Sequence, residues 1–424
     1  MLTRRFLLKS ALLAACSAAA HPWLNTVTFA NTPGDNRLVV IVLRGAMDGL
    51  DVVQPYGDRA LRVLRQTLSA GPEGGAHDLD GFFALHPDLA PLMPLWQARE
   101  LAFAHAVATP YRDKRSHFDG QDVLEAGTGN DLPIDAQKGG WLNRLLQTIP
   151  GAEAETAYTV GTEEMLILSG RARALSWAPD TRMALSEQAR RLLGDVYHDD
   201  PLFRDAAIDA ELIGGELSDA AAMMAAQDAQ MMDPSMQGDM QGGDMQQRPQ
   251  PAQPMPSGPS RDVARLATFA AGRLNGATRI AAFSLSGWDS HARQKQVLTR
   301  SLGQLSTAIL TLREALGPNW AKTTVLAMTE FGRTARENGS AGTDHGTGGA
   351  LLMAGGAVKG GRVYGDWPGL GEGQLYQDRD LVPTRDVRAY AGWAMRGLFG
   401  TETDAIERTV FPGLDLGDDP RFLA

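Results

Sequence analysis

The sequence predicts an α/β protein built on a mainly parallel sheet with helices on both faces, and three observations carry that prediction. Leu38-Val39-Val40-Ile41-Val42-Leu43 is an unbroken apolar run leading into Arg44-Gly45-Ala46-Met47-Asp48-Gly49, the pattern of a strand buried on both faces and then a turn. Residues 279–285, 292–316 and 323–328 read in order as strand, long amphipathic helix and strand, a βαβ unit whose two strands must be parallel. Clusters of Asp, Glu and His follow several of these strands, where open α/β sheets carry their sites.

At the N-terminus, Thr3-Arg4-Arg5-Phe6-Leu7-Leu8-Lys9 runs into a small-residue apolar stretch over 10–20 and then a polar segment ending Thr28-Phe29-Ala30. This reads as a signal peptide over residues 1–30, and the paired arginines resemble the twin-arginine address read by a folded-protein export machinery. Leu7 stands where that pattern usually has Phe. The apolar stretch is too short for a stable membrane span, so the mature chain is expected in the periplasm or outside the cell. Cys16 is the only cysteine, which excludes an intrachain disulfide. Leu13-Ala14-Ala15-Cys16 also resembles a lipoprotein box, the alternative in which Cys16 is lipidated.

After the first strand, 101–107 reads as a second strand and Tyr158-Thr159-Val160 as a third. Beyond these, 262–275 has a helical pattern, 350–354 is one more strand and 384–398 a closing helix. Residues 223–260 break the pattern: they hold half of the 16 methionines among Gln, Pro, Gly and Asp, with almost no branched or aromatic residues. Such a segment cannot build a core and is expected to be a disordered insertion within one domain spanning 36–424. Its thioethers would suit copper(I), and the alternative reading is an insertion without selected chemistry.

The chain has 424 residues, 43% of them hydrophobic, enough for a large core. Its formal charge is −10, and a cut after Ala30 removes Arg4, Arg5 and Lys9 and no acid, giving −13. That balance argues against a nucleic-acid partner.

The polar clusters are Arg44 to Asp48, Ser286 to His291, Thr329 to Arg333 and Gly342 to His345. Together they supply Asp48, Asp289, His291, Glu330, Asp344 and His345 as a ligand pool for a divalent ion such as Zn, Mn, Mg or Ca, with no thiolate competing. Among the other histidines, His86 is expected to cap a helix and His105 to be a core residue, while His77 and His198 sit in acidic, loop-like surroundings. Tyr111-Arg112-Asp113-Lys114-Arg115-Ser116-His117-Phe118-Asp119 is a basic patch running into Ser, His and Asp. Ser116 with His117 could form an activated nucleophile, and the alternative is a helix N-terminus with Ser116 as cap.

Several strings recur together: Asp48-Gly49-Leu50-Asp51, Leu85-His86-Pro87, Ser116-His117-Phe118, Gly140-Trp141-Leu142, Gly287-Trp288-Asp289-Ser290-His291, Thr329-Glu330-Phe331-Gly332-Arg333, Gly342-Thr343-Asp344-His345-Gly346 and Lys359-Gly360-Gly361. In this order they resemble the domain of unknown function 1501 family, exported bacterial proteins grouped with the alkaline-phosphatase-like superfamily. The resemblance implies a doubly wound alkaline-phosphatase-like core holding one or two metal ions. It implies Asp48 as a ligand at the end of the first strand and Ser116 as nucleophile, activated by a metal because a neighbour in sequence such as His117 does not face it well, with His117 kept as a catalytic candidate. It also implies Asp289 with His291 as a ligand pair, and either Glu330-Phe331 or Asp344-His345 as the second pair. Phe331 stands where the superfamily usually has a ligand His, and Arg44 and Arg333 would pair with an anion. The implied function is an exported metal-dependent hydrolase or transferase acting on a small phosphate or sulfate ester. The alternative is a non-catalytic exported binding protein with a degenerate metal and anion pocket.

Overall fold

A computed structural model describes residues 27–31, 34–129, 139–149, 157–160, 165–171, 174–177, 259–276 and 278–424. They lie almost wholly in one compact unit, 22–176 with 262–424. A second unit, 1–21 with 177–261, falls almost entirely outside the described residues, as do most of the expected signal peptide and all but the last two residues of the Met-rich insertion. The main unit is interrupted over 177–261, a span that contains the expected insertion 223–260. Among the described residues, no helix is long and apolar enough to cross a membrane.

The elements in chain order are β1 (Val27–Asn31), β2 (Arg37–Arg44), α1 (Gly49–Val52), α2 (Arg59–Leu64), β3 (Leu101–Ala108), α3 (His117–Ala126) and α4 (Trp141–Thr148). They continue with β4 (Ala157–Val160), β5 (Ala174–Trp177), α5 (Pro259–Asn275), β6 (Thr278–Ser286), α6 (Gln294–Leu316), β7 (Thr323–Thr329), β8 (Gly349–Ala354), β9 (Val363–Tyr364), β10 (Arg385–Asp386) and α7 (Val387–Phe399). The main sheet has the order β9-β3-β8-β7-β2-β6-β1-β4-β5, with β10 also on β3.

β2 lies between β7 and β6, parallel to both, so the crossover through α6 passes over its strand. Leu38 to Leu43 are completely buried or nearly so, which is why this strand reads as an apolar run and not as an alternation. β8 is antiparallel to both β7 and β3, and β1 is antiparallel to β6 and β4. On one face, Leu38, Val40, Val42, Leu326 and Met328 pack with Trp141 and Leu145 of α4 and Tyr390, Ala394 and Met395 of α7. α6 packs against β6 with Leu298, Leu302, Leu305, Ile309 and Leu312 buried, the spacing of a helix with one apolar stripe.

This topology brings the carboxyl ends of β2, β3, β6 and β7 and the start of the reversed strand β8 to one edge of the sheet. The clusters after β2, β6 and β7, the cluster before β8 and the 109–116 segment after β3 therefore share that edge.

Cleavage after Ala30 would remove most of β1, which pairs β6 on one side and β4 on the other. If the chain is cleaved on export, keeping β1 in the sheet places the mature N-terminus before Val27. N-terminal sequencing of protein recovered after export should locate it there, and a chain starting at residue 31 would refute the expectation.

His105 is a core residue, stacked on Phe83 and close to Trp367, with Nε2–H donating to the Val53 carbonyl. Burial pushes its pKa down to about 4 against the support of that hydrogen bond. The unfolded chain takes up the proton below its ordinary value near 6.5, whereas the folded chain refuses it until about pH 4. The resulting stabilisation, about 3 kcal/mol, is present above pH 6.5 and lost as pH falls to 4. Urea titrations should find a steeper stability loss across that window in the wild type than in His105→Gln, and equal slopes would contradict this.

Candidate functional site

Four side chains from two loops and the start of one helix converge at this edge. His117 opens α3, Asp289 and His291 follow β6, and His345 precedes β8. One ligand atom each from His117, Asp289 and His345 lies within 4.8 Å of the others. His291 joins them, its Nε2 being 2.8 Å from His345 Nε2 and 3.4 Å from Asp289 Oδ1.

The other nitrogen of each imidazole is held by a group that can only accept. His117 Nδ1 is 2.8 Å from Glu330 Oε1, His291 Nδ1 is 3.1 Å from Asp344 Oδ1, and His345 Nδ1 is 2.7 Å from the Arg115 carbonyl. Each Nδ1 therefore carries the proton, and in the neutral ring each Nε2 presents a bare lone pair. The Glu330 carboxyl is completely buried. Burial works to raise its pKa, but hydrogen bonds from His117, the Gly45 N–H and Thr329 outweigh it and hold Glu330 below the ordinary range. Burial likewise acts against ionisation of Asp289, and the Arg333 hydrogen bond and charge with the nearby imidazoles overcome it. The Asp344 pKa is lowered chiefly by the Asn338 side-chain amide. Burial first, with His117, Arg333 and His291 adding to it, pushes His345 down to about 4, so its ring is neutral at neutral pH.

With the rings neutral, three imidazole lone pairs and one carboxylate face one another. His117 Nε2 is buried without a hydrogen bond, and its distance to Asp289 Oδ2 is 3.5 Å. Acceptors crowded together in this way repel one another, and a cation relieves that repulsion. The donor set fits a divalent ion of the imidazole-preferring kind.

The rings are also supported from behind. Phe331 stacks on His117 at 5.2 Å between centroids and lies 5.1 Å from His345, with Tyr111 stacked on its other side at 5.8 Å. The phenyl ring that stands where a ligand His was expected is thus a platform orienting two imidazoles.

The remaining expected residues have other places. Asp48 is buried and held by Arg65, whose guanidinium forks over both oxygens at 2.7 and 3.0 Å. It also caps α1 through the Leu50 N–H and accepts from Gln294. With a guanidinium occupying the carboxylate, Asp48 has no lone pair directed at the cluster and does not belong to the ligand set. Glu330 and Asp344 hold the His117 and His291 imidazoles and do not themselves join the convergent group. Ser116 is the N-cap of α3, its Oγ accepting from Asp119 N at 3.3 Å, the alternative role open at the sequence level.

Arg333 is buried with all three nitrogens engaged, on the carbonyls of Gly45, Ala46 and Thr343 and on Asp289 Oδ1 at 2.7 Å. Arg44 spends its terminal nitrogens on Gln121 at 2.8 Å and on the buried Glu125 at 2.6 Å. Neither arginine is free to clamp an external anion, because Arg333 ties loops together and Arg44 ties the end of β2 to α3. Lys114 and Arg115 are exposed on the segment that leads into His117, and Arg115 supplies the carbonyl that pins His345.

Gly45 makes the close approach of the loops possible. Its φ is +120°, and a Cβ there would stand 2.5 Å from Asp289 N. Arg65, Glu125 and Gln294 were not singled out from the sequence. Only Gln294 left a signal there, as a polar residue in phase with Leu298 and Leu302 on the apolar stripe of α6.

The family model for Protein of unknown function (DUF1501) matches residues 103–392. No curated protein and no solved structure matches the chain.

Proposed function

We propose, for a chain that belongs to the DUF1501 family, that the edge of the sheet is a single-ion centre ligated by His117, Asp289, His291 and His345. The observation that carries this reading is the convergence of three imidazole Nε2 atoms on one carboxylate. Three nitrogens to one oxygen suit zinc or a similar transition metal better than magnesium or calcium. A single ion is the reading because Arg65 occupies the Asp48 carboxylate that a second ion would need.

The activity we propose is hydrolysis or transfer of a phosphate or sulfate ester by an exported protein. When bound, the ion supplies Lewis acidity at an ester oxygen. Lys114 and Arg115 attract the anion to the mouth, Arg333 and Glu330 keep Asp289 and His117 in place, and Phe331 holds the ring planes. The alkaline-phosphatase-like assignment belongs to this same reading and rests on the sequence motifs with the α/β sheet.

A second reading, a binding protein without turnover, is favoured by one observation: the Ser116 hydroxyl serves as a helix cap. Protein purified after native export should contain one metal equivalent by elemental analysis. Turnover of 4-nitrophenyl phosphate or 4-nitrophenyl sulfate by that protein supports the enzyme. Stoichiometric metal with no turnover of either favours the binding protein, and absence of metal removes the centre altogether.

A further inference from the structure

Gln294 is completely buried at the start of α6 and fills every hydrogen-bonding position of its amide. Its Nε2 donates to Asp48 Oδ2 at 2.7 Å and to Asp51 Oδ2 at 2.9 Å. Its Oε1 accepts from Ser290 Oγ at 3.0 Å and from Thr343 Oγ1 at 2.7 Å. The orientation is forced, because turning the amide over would set its carbonyl against two carboxylates.

Ser290 stands between Asp289 and His291, and Thr343 directly precedes Asp344 and His345. One amide therefore holds both loops that carry ligands onto the buried Asp48, Asp51 and Arg65 group beneath them. The backbone makes an unusual effort to put it there. Arg293 is left-handed at φ 49°, while the Arg293 and Gln294 N–H groups donate to the Ser340 and Ala341 carbonyls at 3.0 and 2.9 Å. A strained non-glycine residue persists only where its surroundings enforce it.

We infer that Gln294 is a positioning residue that sets the spacing of Asp289 and His291 against His345, so that the affinity and geometry of the ion depend on an amide that touches none of the ligands. This rests on the single-ion reading above. Two loops fixed to a common buried point cannot drift apart, whereas loops held only by the ion must be ordered when it binds, which weakens binding.

The test compares the wild type with Gln294→Met, which keeps length and loses all four bonds, and with Ser290→Ala/Thr343→Val, which leaves the amide on the carboxylates and cuts only its link to the loops. Zn2+ affinity by chelator competition and the visible spectrum of the Co2+-loaded protein are read for each, with cooperative urea unfolding as the folding control. Both variants should bind zinc about 10- to 100-fold more weakly with an altered Co2+ spectrum. Affinity within twofold of the wild type and an unchanged spectrum in the double variant overturn the inference, even if Gln294→Met fails to fold. A wild type that binds no zinc defeats the single-ion reading and the inference with it, whereas a zinc-binding wild type matched by both variants defeats the inference alone.

Discussion

Replacing Arg65 by Met should lower the unfolding free energy by about 3 to 5 kcal/mol, the cost of leaving a buried charge without its partner. Arg65 lies in the core, forks over Asp48 and donates further to Ser69 and to the Thr334 and Ala335 carbonyls. Asp51 sits in the same network, joined to it through Ser69 and Gln294. Without the guanidinium, two buried carboxylates share the space with no cation. Urea unfolding of the metal-free variant measures the loss, and adding Asp48→Asn should recover part of it, because the double change removes the orphaned charge. A loss below about 1 kcal/mol in Arg65→Met would mean that water or another cation already serves Asp48.

His291→Ala/His345→Ala should leave no stoichiometric metal after gel filtration, a larger effect than the about 10- to 100-fold expected when an orienting partner is lost. Both rings reach solvent in part, so their replacement opens no core cavity, and the urea midpoint of the metal-free protein should stay near the wild-type value. Retention of one tightly held equivalent by the double variant would show that the ion is held elsewhere. Equal loss of metal and fold would instead assign the imidazoles a structural role.

Much of the frame was legible in the residues. The run from Leu38 to Leu43 announced a strand buried on both faces because nothing polar interrupts it, and the helix-period pattern of α6 between two apolar runs required a parallel pair. That the polar clusters share one edge was legible too, since strand ends in such a sheet meet there. Finer points were less accessible. β8 carries the same apolar composition as its neighbours, and composition does not encode direction, so its reversal was decided by the chain path around Phe331 to Gly348.

Composition and spacing fix the residue types available at the candidate site: histidines and carboxylates after strands, no cysteine other than Cys16, and a Ser-His step at the start of a helix. The sequence by itself also marked His117, Asp289, His291 and His345 for attention. Which of the polar residues face one another was decided only by the tertiary structure. Asp48 and Asp289 look alike as acids after buried strands, yet one meets the Arg65 guanidinium and the other meets imidazoles, because α2 delivers Arg65 beneath the first loop. Arg333 and Arg44 look like anion clamps until burial gives their donors to backbone carbonyls and to Gln121 and Glu125. Hydrogen-bond direction and charge pairing depend on distances of a few ångströms between residues up to several hundred positions apart, and those distances exist only once the sheet has brought its loops to one edge.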